Sequence, residues 1–438
     1  MPQRICIINP KTRSAFDLAE PLGIMGLATY LSRAGIDVKI IDEVAGDDAV
    51  KGITSWKPDL VGFTAITCTY PRAVELMRKI KPLGYKTVIG GVHASSLPED
   101  ALKDGFDMVV VGEGEQMLLE IITHGHTRGI FQTSREKILK AEDLPLMDRS
   151  LVDMDFYCNA GHKATHASGK RTAFILTSRG CPFRCIFCHN IWEGLPMRFT
   201  SPERIIEEIE YLFRDYRIQH VGLVDNDFFL NRAGCRAFCE SMLRNDLGVT
   251  WATSARPDSL DEEILSLAAR AGCRRIGLGF ESGSQRILDL LDKKLDAHKN
   301  LESARLCHKY HIEVAGLFMV GSPTETRQDI RLTWDFIKKA QVDTIRITVA
   351  TPFPGTRLWK QCQERGFIPP VVDFSRLYVT HGTIQIPDTF TPQEAENIKK
   401  ELMLKAHLFN PKLRKSVLLR LCHDPIHVLK LVIKNLPV

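Results

Sequence analysis

The chain has 438 residues, of which 44% are hydrophobic and 25% charged, and its formal net charge is +5. At roughly 150 residues per domain this length predicts about three domains, with the composition of an ordinary globular protein. The small net charge argues against a dedicated nucleic-acid binder, whose basic residues gather on one face. No apolar run reaches the ~20 residues that span a bilayer, so we expect no stable membrane insertion and a cytoplasmic protein.

From residue 1 to about 125, short apolar runs alternate with amphipathic stretches. The runs predict β-strands at ICII (5–8), VKII (38–41), LVGFTAI (60–66), KTVIG (86–90) and MVVVG (108–112). The segments LGIMGLATYLSRAG and YPRAVELMRKIKPLG have helical spacing and end on a glycine that suits a C-cap. The opening MPQRICIINP is too short in its apolar part for a signal peptide and predicts a strand. This alternation predicts a parallel, Rossmann-like sheet that binds ligands at the carboxyl ends of its strands.

Residues 126–170 lose this rhythm and predict a polar linker between domains. The alternation then resumes with six predicted strands: RTAFILT (171–177), HVGLVD (220–225), VTWAT (249–253), RRIGLGF (274–280), EVAGLFMVG (313–321) and TIRITVA (344–350). The helical segment SPERIIEEIEYLF begins with Ser201 as N-cap and Pro202 as first residue. Six βα units, against eight in a full barrel of ~250 residues, predict a partial (β/α)6 barrel.

After about residue 366 the pattern becomes helical. DTFTPQEAENIKKELMLKAHLFNP predicts one helix, and KLRKSVLLRLCHDPIHVLKLVIKNL predicts two basic amphipathic helices. We interpret the latter as part of a small capping domain rather than as a membrane-surface segment. The predicted domains are therefore 1–140 (Rossmann-like), 141–170 (linker), 171–365 (partial barrel) and 366–438 (helical).

Nine of the twelve cysteines are scattered along the chain, as expected for small buried hydrophobes in a reducing compartment. Cys235 and Cys239 have i,i+4 spacing on a predicted helix, which we interpret as two core-facing positions rather than a metal pair.

The remaining three cysteines, Cys181, Cys185 and Cys188, lie together in TSRGCPFRCIFCHN (177–190). A structural zinc site normally has four ligands in paired motifs, and no second pair stands at a suitable distance. A redox dithiol needs only Cys-x-x-Cys, which leaves Cys181 without a role. A 4Fe–4S cluster is normally held by four thiolates, so three would leave one iron open to an exogenous ligand. The motif follows the first predicted barrel strand, at the end where barrel enzymes keep their chemistry.

Cys-x3-Cys-x2-Cys after the first strand of a six-unit βα barrel resembles the radical SAM superfamily. The resemblance implies that the three thiolates hold a 4Fe–4S cluster whose fourth iron is chelated by S-adenosylmethionine (SAM). Reductive cleavage of SAM would then yield a 5′-deoxyadenosyl radical that abstracts hydrogen from a substrate. A flavodoxin- or ferredoxin-like electron donor is implied as a partner.

Further motifs of this superfamily follow in barrel order. They lie in CIFC, VDNDFF (224–229), SARPD (254–258), GLGFESGS (277–284), GLFMVGSPTET (316–326) and TPFPGTRL (351–358). The second departs from the usual Gly-Gly-Glu, which leaves the residue that binds the SAM amine open. The implied SAM-binding residues are Phe187, Asp225, Asp227, Arg256, Glu281, Ser282 and Gly321.

The first domain lacks Gly-x-Gly-x-x-Gly after its first strand, which argues against a dinucleotide. Its motifs EPLGIMGLATYL (20–31), GFTAITCTYPRA (62–73), GGVHAS (90–95) and VGEGEQMLLEI (111–121) resemble the cobalamin-binding domain that precedes many radical SAM barrels. Glycines there would let the backbone lie against a ligand. The implied cobalamin-binding residues are Leu22, Gly23, Thr64, Thr67, Gly90, Gly91, His93, Gly112, Glu113 and Gly114.

The mode of cobalamin binding is expected to be His-off. Proteins that place a histidine on cobalt carry Asp-x-His-x-x-Gly, and this domain has none, since Gly91 stands two residues before His93. We interpret His93 as a structural residue of the site rather than a cobalt ligand. Cys68 and Tyr70 are the candidates to face the lower side of cobalt.

Together these resemblances imply a cobalamin-dependent radical SAM methyltransferase that transfers methyl from methylcobalamin to an unactivated carbon of a small molecule or peptide side chain. The cofactors carry the difficult chemistry, while the protein positions them and excludes water. One alternative is a non-methylating radical enzyme that closes a ring on a tetrapyrrole. A cobalamin sensor with a vestigial barrel is disfavoured by the intact cysteine motif. A methylthiotransferase would need three further cysteines in the first domain, which has only Cys6 and Cys68.

Overall fold

The computed structural model describes residues 4–11, 19–161, 165, 167, 169–190, 194–379 and 382–414. The chain divides into two compact units. The first contains residues up to 182 together with 189–222 and 373–375, and the second contains 183–188, 223–372 and the chain from 376. The two basic helices predicted at the C-terminus lie beyond residue 414, outside the described residues.

The first unit is built around a six-stranded sheet whose paired strands are all parallel. Its strands are β1 (Arg4–Asn9), β2 (Asp37–Asp42), β3 (Leu60–Thr64), β4 (Lys86–Gly90), β5 (Met108–Val111) and β6 (Gly129–Gln132). The strand order is β2-β1-β3-β4-β5-β6. The order reverses between β1 and β3, and this is the point at which doubly wound sheets bind ligands.

Helices connect these strands. They are α1 (Leu22–Arg33), α2 (Ala49–Trp56), α3 (Tyr70–Ile80), α4 (Val92–Ser96), α5 (Pro98–Asp104), α6 (Glu115–His124) and α7 (Met154–Ala160). The predicted glycine ends are confirmed: Gly35 follows Ala34, the C-cap of α1, and Gly84 caps the 3-10 turn Lys81–Leu83 that continues α3, with φ values of 85° and 86°. Only a residue without a Cβ adopts this left-handed conformation at low cost.

Both faces of the first sheet are buried, as the alternation of side chains along β1 shows. Cys6 and Ile8 belong to one hydrophobic cluster, whereas Ile5 and Ile7 belong to another on the opposite face. A strand buried on both faces has a continuous apolar sequence, and for this reason the ICII run was recognisable as a strand.

The segment 126–170, predicted as a linker, contains regular structure. Strand β6 extends the first sheet, but its GIFQ sequence is too short to give a periodic signal. Helix α7 is capped by the Asp153 side chain and buries Met154, Tyr157 and Cys158. The Tyr157 hydroxyl donates to Asp42 at 2.7 Å. This helix is short and flanked by polar residues, so its buried face was not recognised in the sequence.

A second sheet also has six strands. They are β7 (Thr172–Ile175), β10 (His220–Leu223), β11 (Thr250–Ala255), β12 (Cys273–Glu281), β13 (Glu313–Val320) and β14 (Thr344–Val349). The strand order is β14-β13-β12-β11-β10-β7. Neighbours in this sheet follow one another along the chain, as in a barrel, and the pairs from β11 to β14 are parallel. The predicted α/β class with a six-strand barrel-like sheet is confirmed.

The helices after β7 are α8 (Pro202–Tyr216), α9 (Arg232–Asn245), α10 (Glu262–Arg270), α11 (Gln285–Leu290), α12 (Ala297–Lys309), α13 (Arg327–Ala340), α14 (Arg357–Glu364) and α15 (Pro392–Phe409). The predicted start of α8 is confirmed, since the Ser201 side chain accepts from the Arg204 backbone N–H. Among the described residues, no helix is both long and apolar enough to cross a membrane.

A two-stranded antiparallel ribbon stands apart from both sheets. Its strands are β8 (Ser178–Arg179) and β9 (Arg198–Phe199), and the ribbon pairs Ser178 with Phe199 and Arg179 with Arg198. All three clustered cysteines lie in the chain between these strands, residues 180–197.

Candidate cofactor sites

The three clustered cysteines differ from most others in their access to solvent. Cys181 and Cys185 are partly exposed and Cys188 is exposed. Seven of the other described cysteines are buried: Cys6, Cys158, Cys235, Cys239, Cys273, Cys307 and Cys362. Burial raises the pKa of Cys6 and of Cys307 to about 12, which keeps these thiols protonated. Because a thiolate is the ligand form, the accessible cysteines are the suitable donors and the buried ones are not.

The Cys235–Cys239 pair was interpreted as core-facing, and both residues are buried on α9. Hydrogen bonding to Cys239 and burial raise the pKa of Cys235 far above its ordinary value. These thiols therefore pack as small hydrophobes.

The cysteine segment is shaped by its neighbours. Gly180 has a φ of 108°, which favours glycine directly before Cys181. The Asn190 side-chain amide donates to the Cys181 carbonyl at 2.9 Å. In the second unit the Cys188 backbone N–H donates to the Cys185 carbonyl at 3.1 Å, closing a turn. Within the described ranges, no three His, Cys, Asp or Glu side chains form a group that could hold a metal ion.

Between the last two cysteines, Ile186 anchors the segment in the second unit. Its side chain is buried. Its N–H donates to Leu291 O at 3.1 Å and its carbonyl accepts from Leu358 N at 2.8 Å. Phe187, a predicted SAM contact, packs partly buried against the same hydrophobic cluster. The backbone hydrogen bonds and the buried side chain of Ile186 thus fix this segment without any contribution from the thiols.

Arg256 follows β11 at its carboxyl end, where sequence analysis placed it. Its guanidinium carbon lies 3.5 Å from the centre of the Phe183 ring, and its Nε and one terminal nitrogen each donate to Asp258 at 2.9 Å. The other terminal nitrogen is buried and has no hydrogen-bond partner among the described residues. A buried, unsatisfied guanidinium N–H is costly, so this group is suited to an anionic ligand.

Glu281 ends β12 at a register shift of the β12–β13 pairing and has a φ of 60°. It accepts from the Nζ of Lys293 at 2.8 Å. A Cβ at Gly279 would lie 2.9 Å from this carboxylate and 3.1 Å from the ammonium group, so glycine makes room for the pair.

Lys293 lies beside two of these candidate site residues and was not predicted from the sequence. It is buried, and its Nζ lies 5.8 Å from the Phe187 ring centre. Burial alone would lower the pKa of Lys293, but attraction to Glu281 and Cys185 outweighs it and raises the pKa. A lysine in LLDKKLD is ordinarily a solvated surface residue. The adjacent residues Asp292 and Lys294 both have positive φ, which no sequence pattern reveals.

The two acidic candidates after β10 have different environments. Asp227 is fully buried. Its carboxylate accepts from Phe229 N at 3.1 Å, Ser259 Oγ at 3.0 Å and Arg256 N at 3.2 Å. Burial, partly offset by these hydrogen bonds, raises the pKa of Asp227 to about 6. Asp225 is only partly buried, so its carboxylate is the more accessible of the two.

Ser282 and Gly321 both serve local structure. The Ser282 hydroxyl is buried, lies 3.1 Å from Thr333 Oγ1 and accepts from Ser284 N at 3.1 Å. Gly321 has a φ of 80° and donates its N–H to Glu325 at 2.6 Å. Their predicted contacts with SAM stay predictions.

In the first unit, the loops after β3 and β4 are hydrogen-bonded to each other. Ala65 N donates to Gly90 O, and His93 N donates to Ala65 O, each at 3.1 Å. Gly91 has a φ of 93°, and a Cβ there would lie 2.8 Å from Ala65 O and 3.0 Å from Thr64 Oγ1. This predicted cobalamin residue therefore allows a close backbone approach that no other amino acid permits.

The loop after β5 adjoins these two. Gly112 has a φ of 91°, and its N–H donates to Ser95 Oγ at 3.1 Å. Gly114 is the N-cap of α6. The Glu113 carboxylate, also predicted to contact cobalamin, is paired with Arg179 and Arg198.

The remaining predicted cobalamin residues lie at the same edge of the sheet. Thr67 is buried in the loop after β3. Leu22 and Gly23 begin α1, and Gly23 is exposed, with no described atom within 4 Å of a Cβ built there. Outside the Glu113 ion pairs, the predicted cobalamin residues of this edge are therefore small or uncharged, with open backbone at Gly23.

His93 carries the clearest orphaned polar group of the first unit. It is 1% exposed, and its ring centre lies 4.0 Å from that of Tyr70 and 4.6 Å from that of Phe374. Neither ring nitrogen has a hydrogen-bond partner in the described part of the chain. Burial lowers the pKa of His93 to about 4, so the imidazole is neutral. The Tyr70 hydroxyl already has a hydrogen-bond partner, since it donates to Asp104 at 2.6 Å. The role of Tyr70 or Cys68 below cobalt stays a prediction.

Comparison with known families gives two matches. The Radical SAM superfamily matches residues 175–337, which include the three clustered cysteines. The B12 binding domain matches residues 12–122, which include strands β2 to β5.

Two relatives cover nearly the whole chain. An uncharacterized methyltransferase of Pyrococcus horikoshii is 29% identical over 435 residues, which are 92% of this chain and 92% of the relative. The anaerobic magnesium-protoporphyrin IX monomethyl ester cyclase of Rubrivivax gelatinosus is 29% identical over 444 residues, which are 93% of this chain and 79% of the cyclase. Relatives of similar identity thus have names that denote different reactions.

A solved structure has the same fold. It is that of TsrM, a radical S-adenosylmethionine methyltransferase from Kitasatospora setae, with cobalamin and a 4Fe–4S cluster bound. The TM-score is 0.71 at 19% identity, covering 85% of this chain and 76% of TsrM. The chain therefore matches the Radical SAM superfamily over residues 175–337, and a match to the B12 binding domain over residues 12–122 precedes it.

Proposed function

We propose that this protein is a cobalamin-dependent radical SAM methyltransferase acting on an unactivated carbon of a small molecule or peptide side chain. The observation that carries the proposal is the presence, in one chain, of three accessible thiols at Cys-x3-Cys-x2-Cys and a glycine-lined B12 binding domain. When bound, the cluster supplies the electron that cleaves SAM to a 5′-deoxyadenosyl radical, and cobalamin supplies the methyl group.

Cys181, Cys185 and Cys188 would hold the 4Fe–4S cluster. Their donor chemistry fits, because they retain solvent access while burial holds thiols such as Cys6 and Cys307 protonated. Three protein ligands leave one coordination position for SAM.

The carboxyl ends of β11 and β12 would bind SAM. The unsatisfied N–H of Arg256 and the buried ammonium of Lys293 are suited to its carboxylate, and Glu281 to its ammonium or ribose hydroxyls. Phe187 would pack near the adenine. Asp225, being more accessible than Asp227, is the better candidate for the amine.

The loops after β3, β4 and β5 would bind cobalamin. Gly91 and Gly112 permit the corrin and its tail to lie against backbone, and the neutral imidazole of His93 has a hydrogen-bonding nitrogen to satisfy. Since Asp-x-His-x-x-Gly is absent from the sequence of this domain, we propose a His-off mode. The cycle requires a low-potential reductant, for which a flavodoxin or ferredoxin is suitable.

The alternative function is radical ring closure on a tetrapyrrole without methyl transfer. The specific observation that favours it is the 29% identity to the Rubrivivax cyclase across 93% of this chain. The two reactions use the same cofactor-binding domains, so the residues described above do not separate them.

Isotope labelling separates the two proposals. Cells that express the protein, or its Cys185→Ala variant as control, are fed methionine with a deuterated methyl group. We expect a metabolite with a labelled methyl on carbon only in cells with the unsubstituted protein, detected by mass spectrometry. A product that has lost hydrogen and gained a ring without label would support the cyclase instead.

A further inference from the structure

The ribbon that bounds the cysteine segment places two cations opposite each other. Arg179 on β8 and Arg198 on β9 are direct cross-strand partners, and Arg179 stands two residues before Cys181. Like charges that face each other across a strand pair repel and destabilise it. The ribbon therefore requires an anion between the two guanidinium groups.

Glu113, from the loop after β5, supplies that anion. Arg198 donates from one terminal nitrogen to Glu113 Oε2 at 3.0 Å, and its other terminal nitrogen pairs with Oε1. Arg179 lies 3.3 Å from the same Oε2 and 2.7 Å from Glu115 Oε1. A two-pronged carboxylate–guanidinium contact fixes orientation as well as distance.

This Glu113 network is electrically balanced and enclosed. Its members are Glu113, Glu115, Arg179 and Arg198, with side chains 8%, 6%, 16% and 13% exposed. Two carboxylates and two guanidinium groups leave no net charge, so removing one carboxylate would leave a buried cation without its partner.

The network is also tied to its surroundings. Arg198 donates to Leu139 O at 2.6 Å, and the backbone carbonyl of Glu113 accepts from the Thr133 hydroxyl at 2.6 Å. Glu113 is thus held on both its main chain and its side chain, which leaves it little freedom to rotate toward another ligand.

A second contact ties down the residue after the last cysteine. The Nε2 atom of His189 lies 2.7 Å from Ser96 Oγ, which follows the GGVHAS motif. Because the Ser96 hydroxyl donates to Val92 O at 2.8 Å, it accepts from the N–H of His189. His189, next to Cys188, therefore has a structural partner of its own.

We propose that Glu113 is a positioning residue that fixes the ribbon leading into Cys181. Ser96 fixes the other end of the cysteine segment through its hydrogen bond to His189. This inference rests on the proposed function, because it presumes that the cysteines hold a cluster. It assigns the Glu113 carboxylate to the cysteine segment rather than to cobalamin.

The test uses the full-length protein, anaerobically reconstituted with iron, sulfide and cobalamin. We expect Glu113→Gln to release iron to a chelator about tenfold faster than the unsubstituted protein, at the lower end of the effects seen when groups that support metal ligands are lost. Its reduced-cluster EPR spectrum should broaden, while its affinity for cobalamin stays the same. Glu113→Asp, which keeps the charge, should release iron at an intermediate rate.

Asp107→Asn is the matched control. Asp107 directly precedes β5, whereas Glu113 follows the other end of that strand. The Asp107 carboxylate pairs with Lys81 at 2.5 Å in a half-buried site. We expect this variant to lose stability while keeping the iron-release rate and the EPR spectrum. Ser96→Ala is a milder second variant that should speed iron release by about threefold, the loss of one hydrogen bond.

The inference would be overturned if Glu113→Gln and Ser96→Ala released iron at the rate of the unsubstituted protein and kept its EPR spectrum. The same acceleration in Asp107→Asn would also overturn it, because it would indicate general loosening. Weaker cobalamin binding by Glu113→Gln at an unchanged iron-release rate would make Glu113 a cobalamin contact instead. If the unsubstituted protein takes up no iron, the proposed function fails first, and the inference falls with it.

Discussion

The carboxyl ends of the two sheets have different chemistry. At β3 and β4 of the first sheet they are lined by glycines and small residues, and the neutral, unsatisfied imidazole of His93 is buried beside them. In the second sheet they carry ionised or ionisable groups, including the buried Glu281–Lys293 pair. The same strand–helix repeat thus supports two kinds of site.

The difference follows from what each ligand would require. A large ring system such as a corrin is held mainly by contact area, which demands backbone that lies close and side chains that stay out of the way. SAM has a charged amino-acid portion, so charge-assisted hydrogen bonds orient it. Substitutions at each of the two sites test this contrast.

Removing a cluster thiol should have the largest effect. We expect Cys185→Ala to lose the iron of its 4Fe–4S cluster, about four atoms per chain, because the two remaining thiolates cannot hold the cluster. Iron analysis and visible absorption after anaerobic reconstitution measure the loss. Cys307→Ala, at a buried thiol, is the control and should keep its iron. Full iron content in Cys185→Ala would contradict the cluster assignment.

A side chain at Gly91 should damage the first sheet's site alone. Gly91→Ala places a Cβ 2.8 Å from Ala65 O at a φ of 93°. We expect cobalamin affinity to fall roughly ten- to hundredfold, because the loops after β3 and β4 must shift. An absorption titration with cobalamin measures it, and iron content should not change.

Gly84→Ala is the matched control for this prediction, since Gly84 has a φ of 86° but no described atom within 4 Å of its Cβ position. It should lose about 1 kcal/mol of stability through backbone strain and keep its cobalamin affinity. Equal cobalamin binding by both variants would show that the loops are not a ligand cradle.

The contribution of the Glu281–Lys293 pair to stability can be separated from its proposed contribution to SAM binding. Lys293→Met leaves Glu281 buried without its cation and should cost about 3 kcal/mol of unfolding free energy. The double variant Lys293→Met with Glu281→Leu should recover most of that stability, since apolar replacements of a buried pair are tolerated. SAM affinity, followed by equilibrium dialysis, should stay at least tenfold weaker in both. Recovery of SAM binding in the double variant would make the pair purely structural.

Two buried groups, His93 in the first unit and Glu325 in the second, should change stability in opposite directions as the pH falls. The pKa of His93 is about 4 because of burial, below the usual 6.5. Its stabilising contribution is therefore complete above pH 6.5 and is lost as the pH falls toward 4. Burial raises the pKa of Glu325 to about 8. The contribution of Glu325 is complete below pH 4.5 and is lost as the pH rises through 8.

Melting temperatures at pH 5, 7 and 9 test this difference. Glu325→Gln should gain stability relative to the unsubstituted protein as the pH rises from 5 to 7, and should be more stable than it at pH 9 by at least ~1 kcal/mol. His93→Gln should lose less stability between pH 7 and pH 5 than the unsubstituted protein. Identical pH profiles for all three proteins would refute both assignments.

The sequence predicted the main strands because strands buried on both faces are continuously apolar. All eleven predicted strands were confirmed within a few residues, from β1 to β14. It missed β6 and α7, whose burial depends on contacts made only after folding, such as the Tyr157–Asp42 hydrogen bond.

The candidate site was predictable where a residue type alone signals the chemistry. Three cysteines at Cys-x3-Cys-x2-Cys indicate metal ligation, and paired glycines after a strand indicate a close backbone approach. Lys293 was not predictable, because its burial depends on a turn with positive φ at Asp292 and Lys294. The resemblance implied that Glu113 binds cobalamin, and its pairing with two arginines far along the chain was not predicted. Partners so distant in sequence leave no local pattern.

We propose that this one chain binds both a SAM-cleaving cluster and cobalamin. The most direct measurement incubates the anaerobically reconstituted protein with a low-potential reductant and SAM labelled in its methyl group, followed by mass spectrometry. We predict 5′-deoxyadenosine at least tenfold above the level of Cys185→Ala, together with labelled methyl on the bound cobalamin. No 5′-deoxyadenosine above that variant, with cobalamin unlabelled or unbound, would contradict the account.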